Sequence, residues 1–147
     1  MKQSIKHLLV IVLLGTFFIS AAQKPTDAKL PVDSKVKIGK LANGLTYYIR
    51  KNVEPKNRAE LRLVVNAGST LETDKQRGLA HFVEHMCFNG TKNFKKQELV
   101  DFLEKSGVNF GADLNAYTSF DETVYELQVP TDSPMVYKKA MQVLEDW

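Results

Sequence analysis

One cysteine among 147 residues closes no intrachain disulfide, so the chain is not a stapled scaffold, and an oxidising compartment is tolerated rather than exploited. Charge of one sign is nearly missing too: 20 Lys+Arg stand against 17 Asp+Glu, a formal +3. The lysines are scattered among acids, which leaves no basic stripe to release counterions from a phosphate backbone and excludes nucleic acid as a partner. Eight glycines and five prolines are too few for collagen-like or low-complexity classes. No apolar run reaches the ~20 residues of a spanning helix. What remains, at 44% hydrophobic and 25% charged residues, is an ordinary globular composition with room for one domain at most.

The first 22 residues stand apart from that domain. Lys2, Lys6 and His7 precede an apolar run from Leu8 to Leu14 that resumes at Phe17, Phe18 and Ile19, and Ser20, Ala21 and Ala22 follow. A basic start, a short apolar centre and a small-residue exit form a secretory signal, with cleavage expected after Ala22. An uncleaved anchor is the alternative, against which the short apolar stretch argues. No cysteine lies near Ala22, so a lipoprotein-type acyl anchor there is excluded. The protein is expected to be exported, periplasmic or secreted, with no stable membrane insertion after cleavage. Cleavage removes His7 and leaves His81 and His85, four residues apart, as the only histidines.

Residues 23–34 carry two prolines and two aspartates with little periodicity and read as a flexible lead-in to a domain spanning residues 35–147. Val36 and Ile38 alternate with polar neighbours, Asn43-Gly44 supplies a tight turn, and Leu45 to Arg50 is rich in β-formers, which predicts a hairpin. Ala59 to Ala67 reads as a third strand with Leu61, Leu63 and Val65 on one face. From Asp74 or Lys75 to Phe88 the period changes to about 3.6, and Asn89-Gly90 closes a helix. On it Leu79, Phe82, Val83 and Met86 fall on one side and His81, Glu84 and His85 on the other, so the apolar side is expected to pack and the histidine side to face a cleft. A second helix, from about Lys95 to Ser106, turns Leu99, Phe102 and Leu103 inward. Asp113–Thr118 and Thr123–Val129 are two further strands. A last helix starts with Ser133 as cap and Pro134 at its first position, with Val136, Ala140, Val143, Leu144 and Trp147 on one face. The class is α+β with a mainly antiparallel sheet packed with helices. The apolar period is still running at Trp147 with no stop signal, which predicts a domain that is incomplete at its C-terminal end.

His81-Phe82-Val83-Glu84-His85 carries the chemistry. Histidines at i and i+4 of a helix share a face one turn apart, a separation that lets both imidazoles bind one tetrahedral Zn²⁺. Glu84 shares that face without having to be a ligand and can take a proton from a water that zinc has acidified, then pass it to the leaving amine of a cleaved peptide. Two histidines flanking a glutamate on a solvated face is the plainer alternative, and the rarity of H-x-x-E-H argues against it. Imidazole ligation without hard oxygen donors favours Zn²⁺ over magnesium or calcium. A catalytic zinc needs a third protein ligand, and Cys87, two positions past His85, points elsewhere on the helix and reads as a small buried hydrophobe.

The stretch Gly78-Leu-Ala-His-Phe-Val-Glu-His-Met-Cys-Phe-Asn-Gly-Thr91, preceded by Asn66-Ala-Gly-Ser69 and Glu72 and followed by Phe94, closely resembles the pitrilysin or insulinase family of zinc metallopeptidases, the inverted zincins. Leu41-Ala-Asn-Gly-Leu-Thr46, Val64-Val-Asn-Ala-Gly68 and Leu114-Asn-Ala-Tyr-Thr-Ser-Phe-Asp-Glu-Thr-Val-Tyr125 are similar to further family landmarks in the same order. The resemblance covers about Val36 to Trp147 and implies the first part of a pitrilysin-type metallohydrolase domain. By it, His81 and His85 match the zinc ligands and Glu84 the water-activating base. Asn115 and Ala116 match edge-strand positions that hold an extended substrate by main-chain pairing; from pattern alone they read as a hairpin strand.

The resemblance also implies a glutamate ligand roughly seventy to eighty residues beyond the second histidine, on a later helix, and the chain offers fewer residues than that after His85. Asp113, Asp121, Glu122 and Glu126 are nearby acids, but none matches that position. The expectation is therefore a zinc metalloendopeptidase present as an N-terminal piece, inactive alone, whose partners are a peptide or small-protein substrate and a C-terminal domain of the same family fold. A non-catalytic peptide-binding or scaffold half of this fold is the alternative. A small zinc lyase of the ribosylhomocysteine type also uses H-x-x-E-H, but it needs a distant cysteine ligand and works in the cytosol.

Overall fold

The structure, a computed structural model, describes residues 29–147, so the export signal expected at residues 1–22 lies outside the described residues. The described residues divide into two compact units, with the boundary in the chain between Lys51 and Asn52. In the first, β1 (Val36–Lys40) pairs antiparallel with β2 (Thr46–Arg50), Val36 opposite Arg50 and Lys40 opposite Thr46. The Asn43 side chain accepts the Leu45 N–H at 3.1 Å and Gly44 takes a positive φ of 95°, the local chemistry that makes Asn-Gly a hairpin turn. Arg50 donates to Asp33 at 3.2 Å, tying the end of the lead-in to the hairpin.

The second unit is built on β3 (Arg58–Val65), β4 (Leu114–Thr118) and β5 (Thr123–Pro130), which form an antiparallel sheet in the order β3-β5-β4. β5 takes the centre: Tyr125, Leu127 and Val129 alternate onto one buried face, and Val124 on the other face is buried as well. β4 is left at an edge, with Asn115 opposite Glu126 and Ala116 opposite Tyr125. Three helices follow the pattern of the sequence, α1 (Leu79–Asn89), α2 (Glu98–Lys105) and α3 (Pro134–Asp146). Antiparallel pairing with separate helices makes the class α+β, as expected.

The core lies against one face of this sheet. Leu99 and Leu103 of α2 and Ala140 and Val143 of α3 are fully buried with Leu114, Leu127 and Val129 of the sheet. Ser133 caps α3 through an Oγ that accepts the Val136 N–H at 3.5 Å, and Pro134 occupies the first turn, where its missing N–H costs nothing. The inward face of α3 is the expected one: Val136, Ala140 and Val143 are buried, and Leu144 and Trp147 half-buried.

Three boundaries differ from expectation for local reasons. α2 begins at Glu98 rather than near Lys95, because Gln97 sits at a left-handed φ of 68° and Glu98 folds back to accept the Lys95 N–H at 3.1 Å. β3 ends at Val65, whose side chain is exposed; Ala59, Leu61 and Leu63 form the inward row. The long helix expected from Asp74 is broken. Asp74–Gln76 forms a separate 3-10 turn, closed by reciprocal bonds between Thr73 and Gln76, and α1 starts only after Gly78 has reversed the backbone with a φ of 84°.

Asp146, at the end of α3, holds the turn that follows α1. It accepts from Thr91 Oγ1 at 2.6 Å, from the Asn93 N–H at 3.0 Å and from Asn93 Nδ2 at 2.6 Å. Partial burial works against its charge, but these donors outweigh it and hold the carboxyl below the ordinary value of 3.8. A depressed carboxyl contributes stability that is present above pH 3.8 and disappears as the pH falls through the folded-state value. Asp146→Asn is therefore expected to cost about 1 kcal/mol at neutral pH, because the side chain is partly solvated. The cost should shrink toward zero in acid, as read from urea melts of both proteins at neutral and strongly acidic pH.

Candidate metal centre

α1 lies across β4 and β5, and its orientation reverses the expectation from hydrophobic patterning. Leu79, Phe82, Val83 and Met86 are exposed, whereas Glu84 is buried and Ala80, Cys87 and Phe88 are half-buried. Residues 80, 84, 87 and 88 follow the spacing of one helix face, and that face meets the sheet. A carboxylate is tolerated there because it has a partner: Thr118 Oγ1, on β4, donates to Glu84 Oε2 at 2.6 Å. Thr123 Oγ1 lies 3.4 Å from Thr118 Oγ1 and donates its proton to the Ala67 carbonyl at 2.9 Å.

His81 and His85 stand beside Glu84 on the exposed side of α1. Their Nε2 atoms are 3.1 Å apart and the ring centroids 4.6 Å. Two imidazole nitrogens on one tetrahedral Zn²⁺ sit about 3.3 Å apart, given bonds of about 2.05 Å. The pair fits such an ion with little adjustment.

Among the described residues no third His, Cys, Asp or Glu joins them. Three of the four acids noted from sequence have partners of their own. Asp113 accepts from the Asn109 N–H and from Asn109 Nδ2, both at 2.9 Å, and these two bonds hold its carboxyl below the ordinary range. Glu126 lies 3.3 Å from Arg62, and Glu122 accepts from the Tyr117 hydroxyl at 2.9 Å. Cys87 is half-buried, with its Sγ 3.3 Å from the Tyr125 hydroxyl. Burial first, and the Cys87 contact second, push the Tyr125 phenol far above its usual pKa, so it stays neutral.

Asn115 and Ala116 lie on β4, the edge strand that also carries Thr118. Asn115 is exposed, and its Oδ1 accepts the Ala116 N–H at 3.0 Å. An edge strand presents unpaired main-chain groups to a further strand, the geometry of β-augmentation.

Two residues that pattern reading gave no role have one here. Thr118 orients Glu84, a link 34 residues long that no local signal reveals. Glu72 accepts the Gly78 N–H at 2.8 Å and the Ala80 N–H at 2.7 Å, capping α1 from outside the helix. The segment between β3 and Glu72 is sewn to the tip of the β4–β5 hairpin: Ser69 N–H donates to the Ser119 carbonyl at 3.1 Å and Thr70 N–H to that of Phe120 at 2.8 Å. A Cβ on Gly68 would overlap both carbonyls, so this approach requires glycine.

Gly78 has open space around it, and only its left-handed backbone excludes a side chain. Gly78→Ala should therefore cost about 1–2 kcal/mol with no steric clash. In denaturant melts the midpoint should fall while the m-value is unchanged.

An α+β unit with H-x-x-E-H on a helix laid against an edge strand defines an inverted-zincin domain, and comparison with known proteins agrees. Residues 47–147 match the family Insulinase (Peptidase family M16), and the chain belongs to that family. It is 40% identical over 139 residues to the "Probable zinc protease PqqL" of Haemophilus influenzae, covering 95% of this chain and 15% of that protein. Against the "Probable zinc protease PqqL" of Escherichia coli it is 43% identical over 120 residues, covering 82% of this chain and 13% of that protein. The crystal structure of the periplasmic protease PqqL from Escherichia coli superposes with a TM-score of 0.77 at 43% identity, over 82% of this chain and 13% of that one. The chain thus spans about one seventh of the length of these relatives.

Proposed function

We propose that the chain supplies the metal-binding helix, the catalytic base and the substrate-binding edge strand of an exported zinc metalloendopeptidase. The observation that carries this is the His81–His85 pair, with Nε2 atoms 3.1 Å apart, beside a buried Glu84 fixed by Thr118. His81 and His85 would hold Zn²⁺. When bound, the ion supplies a Lewis acid that lowers the pKa of water toward ~7 and polarises a peptide carbonyl. Glu84 serves as general base. Thr118 holds Oε2, which leaves Oε1 to take the proton of the attacking water and return it to the leaving amine. Asn115 and Ala116 pair with the main chain of an extended peptide or small protein and so align the bond to be cut.

With two imidazoles and no third ligand among the described residues, metal affinity is weak in this chain alone, and an acid outside it completes the site. A C-terminal domain of the same fold closes over the substrate. Residues 1–22 act as the export signal and residues 35–147 as the first part of the peptidase domain. The Escherichia coli relative is a periplasmic protease, which supports export, and among the described residues no helix is long and apolar enough to cross a membrane.

The incomplete ligand set also favours a second reading, a non-catalytic peptide-binding half. Zinc titration of the 147-residue chain, combined with peptide-library cleavage by a chimaera in which residues 47–147 replace the matching segment of the Escherichia coli relative, separates the two. Zinc binding with cleavage supports the peptidase. Peptide binding without zinc or cleavage overturns it.

A further inference from the structure

Glu72 serves neither as base nor as ligand, yet its whole carboxylate is spent on α1, with Oε2 on the Gly78 N–H at 2.8 Å and Oε1 on the Ala80 N–H at 2.7 Å. His81 follows Ala80 directly and is the third residue of the helix. That position is poor for a cation. The first turn of a helix carries free N–H groups and about half a positive charge, which repels a divalent ion held there. α1 has no acidic residue of its own in the first turn and no side-chain bond from its N-cap. Glu72 supplies both from outside.

Its place is fixed rather than incidental. The Glu72 N–H donates to the Ser69 carbonyl at 3.2 Å, and Thr70 Oγ1 donates to the Phe120 carbonyl at 2.7 Å, so the carboxylate is carried on the strap that joins the β4–β5 tip to α1. The Ala80 and Gly78 N–H groups favour the ionised carboxyl, so the charge is present throughout the neutral range.

We infer that Glu72 is a positioning residue for the cation site: it neutralises the positive end of α1 where His81 must hold a divalent ion, and it locks the first turn so that His81 and His85 are set before metal arrives. The inference rests on reading the two histidines as metal ligands. It predicts that the charge of Glu72, and not only its hydrogen bonds, tunes affinity.

Co²⁺ titration of the 147-residue chain by visible absorption, in about 0.01 M and about 1 M salt, reads this out, since the Debye length falls from ~30 Å to ~3 Å between them. Glu72→Gln removes the charge and keeps one acceptor. It should weaken Co²⁺ binding about tenfold at low salt and by less than about twofold at high salt, with an unchanged far-UV spectrum. Glu72→Asp keeps the charge and should stay within about threefold of the parent at low salt. Equal affinity of Glu72→Gln and the parent at low salt, or a deficit indifferent to salt, overturns the inference, as does a loss in Glu72→Asp equal to that in Glu72→Gln. Should the parent chain bind no Co²⁺, or bind it undiminished after His81→Ala, the metal reading fails and the role of Glu72 fails with it. Normal parental binding with an indifferent Glu72→Gln removes only the latter.

Discussion

His81→Ala is expected to abolish the thermal stabilisation that Zn²⁺ gives the chain while leaving the metal-free protein as stable as before. Both halves of that result follow from exposure. His81 and His85 are exposed, and their rings contact each other, so removing one changes metal-free stability by no more than about 0.5 kcal/mol. Metal binding, by contrast, needs both nitrogens on one ion, and a single imidazole in water holds zinc weakly. Zinc at 100 times its Kd raises stability by about 2.7 kcal/mol. A variant with at least ~100-fold weaker affinity shows almost none of that gain. Differential scanning fluorimetry with and without Zn²⁺ measures it directly. His85→Ala and the double variant should look the same as His81→Ala, because the two side chains work as a unit. A His81→Ala protein that still gains its full zinc stabilisation would place the metal elsewhere.

Glu84→Gln is expected to have the larger effect on turnover and the smaller one on everything else. Thr118 Oγ1 can donate to an amide oxygen as it does to Oε2, at 2.6 Å in this structure, so the buried side chain keeps its partner and the helix its seat on the sheet. What is lost is the ability to accept a proton, which for a positioned general base accounts for about 10²–10⁴ in rate. In the chimaera described above, kcat should fall by about that factor while KM and zinc affinity stay within about twofold. Such a split separates a base from a ligand. Unchanged cleavage would sink the assignment of Glu84 and favour a metal site without hydrolytic chemistry.

The parts of the fold that were legible in advance are those whose chemistry is local. Ser133-Pro134 marks the start of α3 because a hydroxyl cap and a fixed φ act within one turn, and Asn43-Gly44 marks the hairpin for the same kind of reason. H-x-x-E-H brought His81, Glu84 and His85 together because helical spacing alone sets that proximity. The seating of α1 was not legible. Four large apolar side chains outvote one glutamate in any hydrophobicity count, and the glutamate faces the sheet because a threonine far along the chain is there to bond it. The break at Gly78 was hidden likewise: Asp74 to Phe88 scans as one period, and only the carboxylate of Glu72 shows where the helix begins. Sheet order depends on pairing between distant segments, so pattern alone showed two strands, and the outer place of β4 was implied only by the family resemblance.

Trp147, the single tryptophan of the chain, stacks on Tyr125 with ring centroids 5.1 Å apart, lies 5.4 Å from Phe88, and donates its indole N–H to the carbonyl of Cys87 at 3.2 Å. Cys87 and Phe88 belong to the last turns of α1. The molecule therefore carries its own fluorescent reporter beneath the histidine helix. Any ligand or substitution that shifts that helix will alter the emission of one indole, and an optical signal from the unlabelled protein can follow events two turns away at His81.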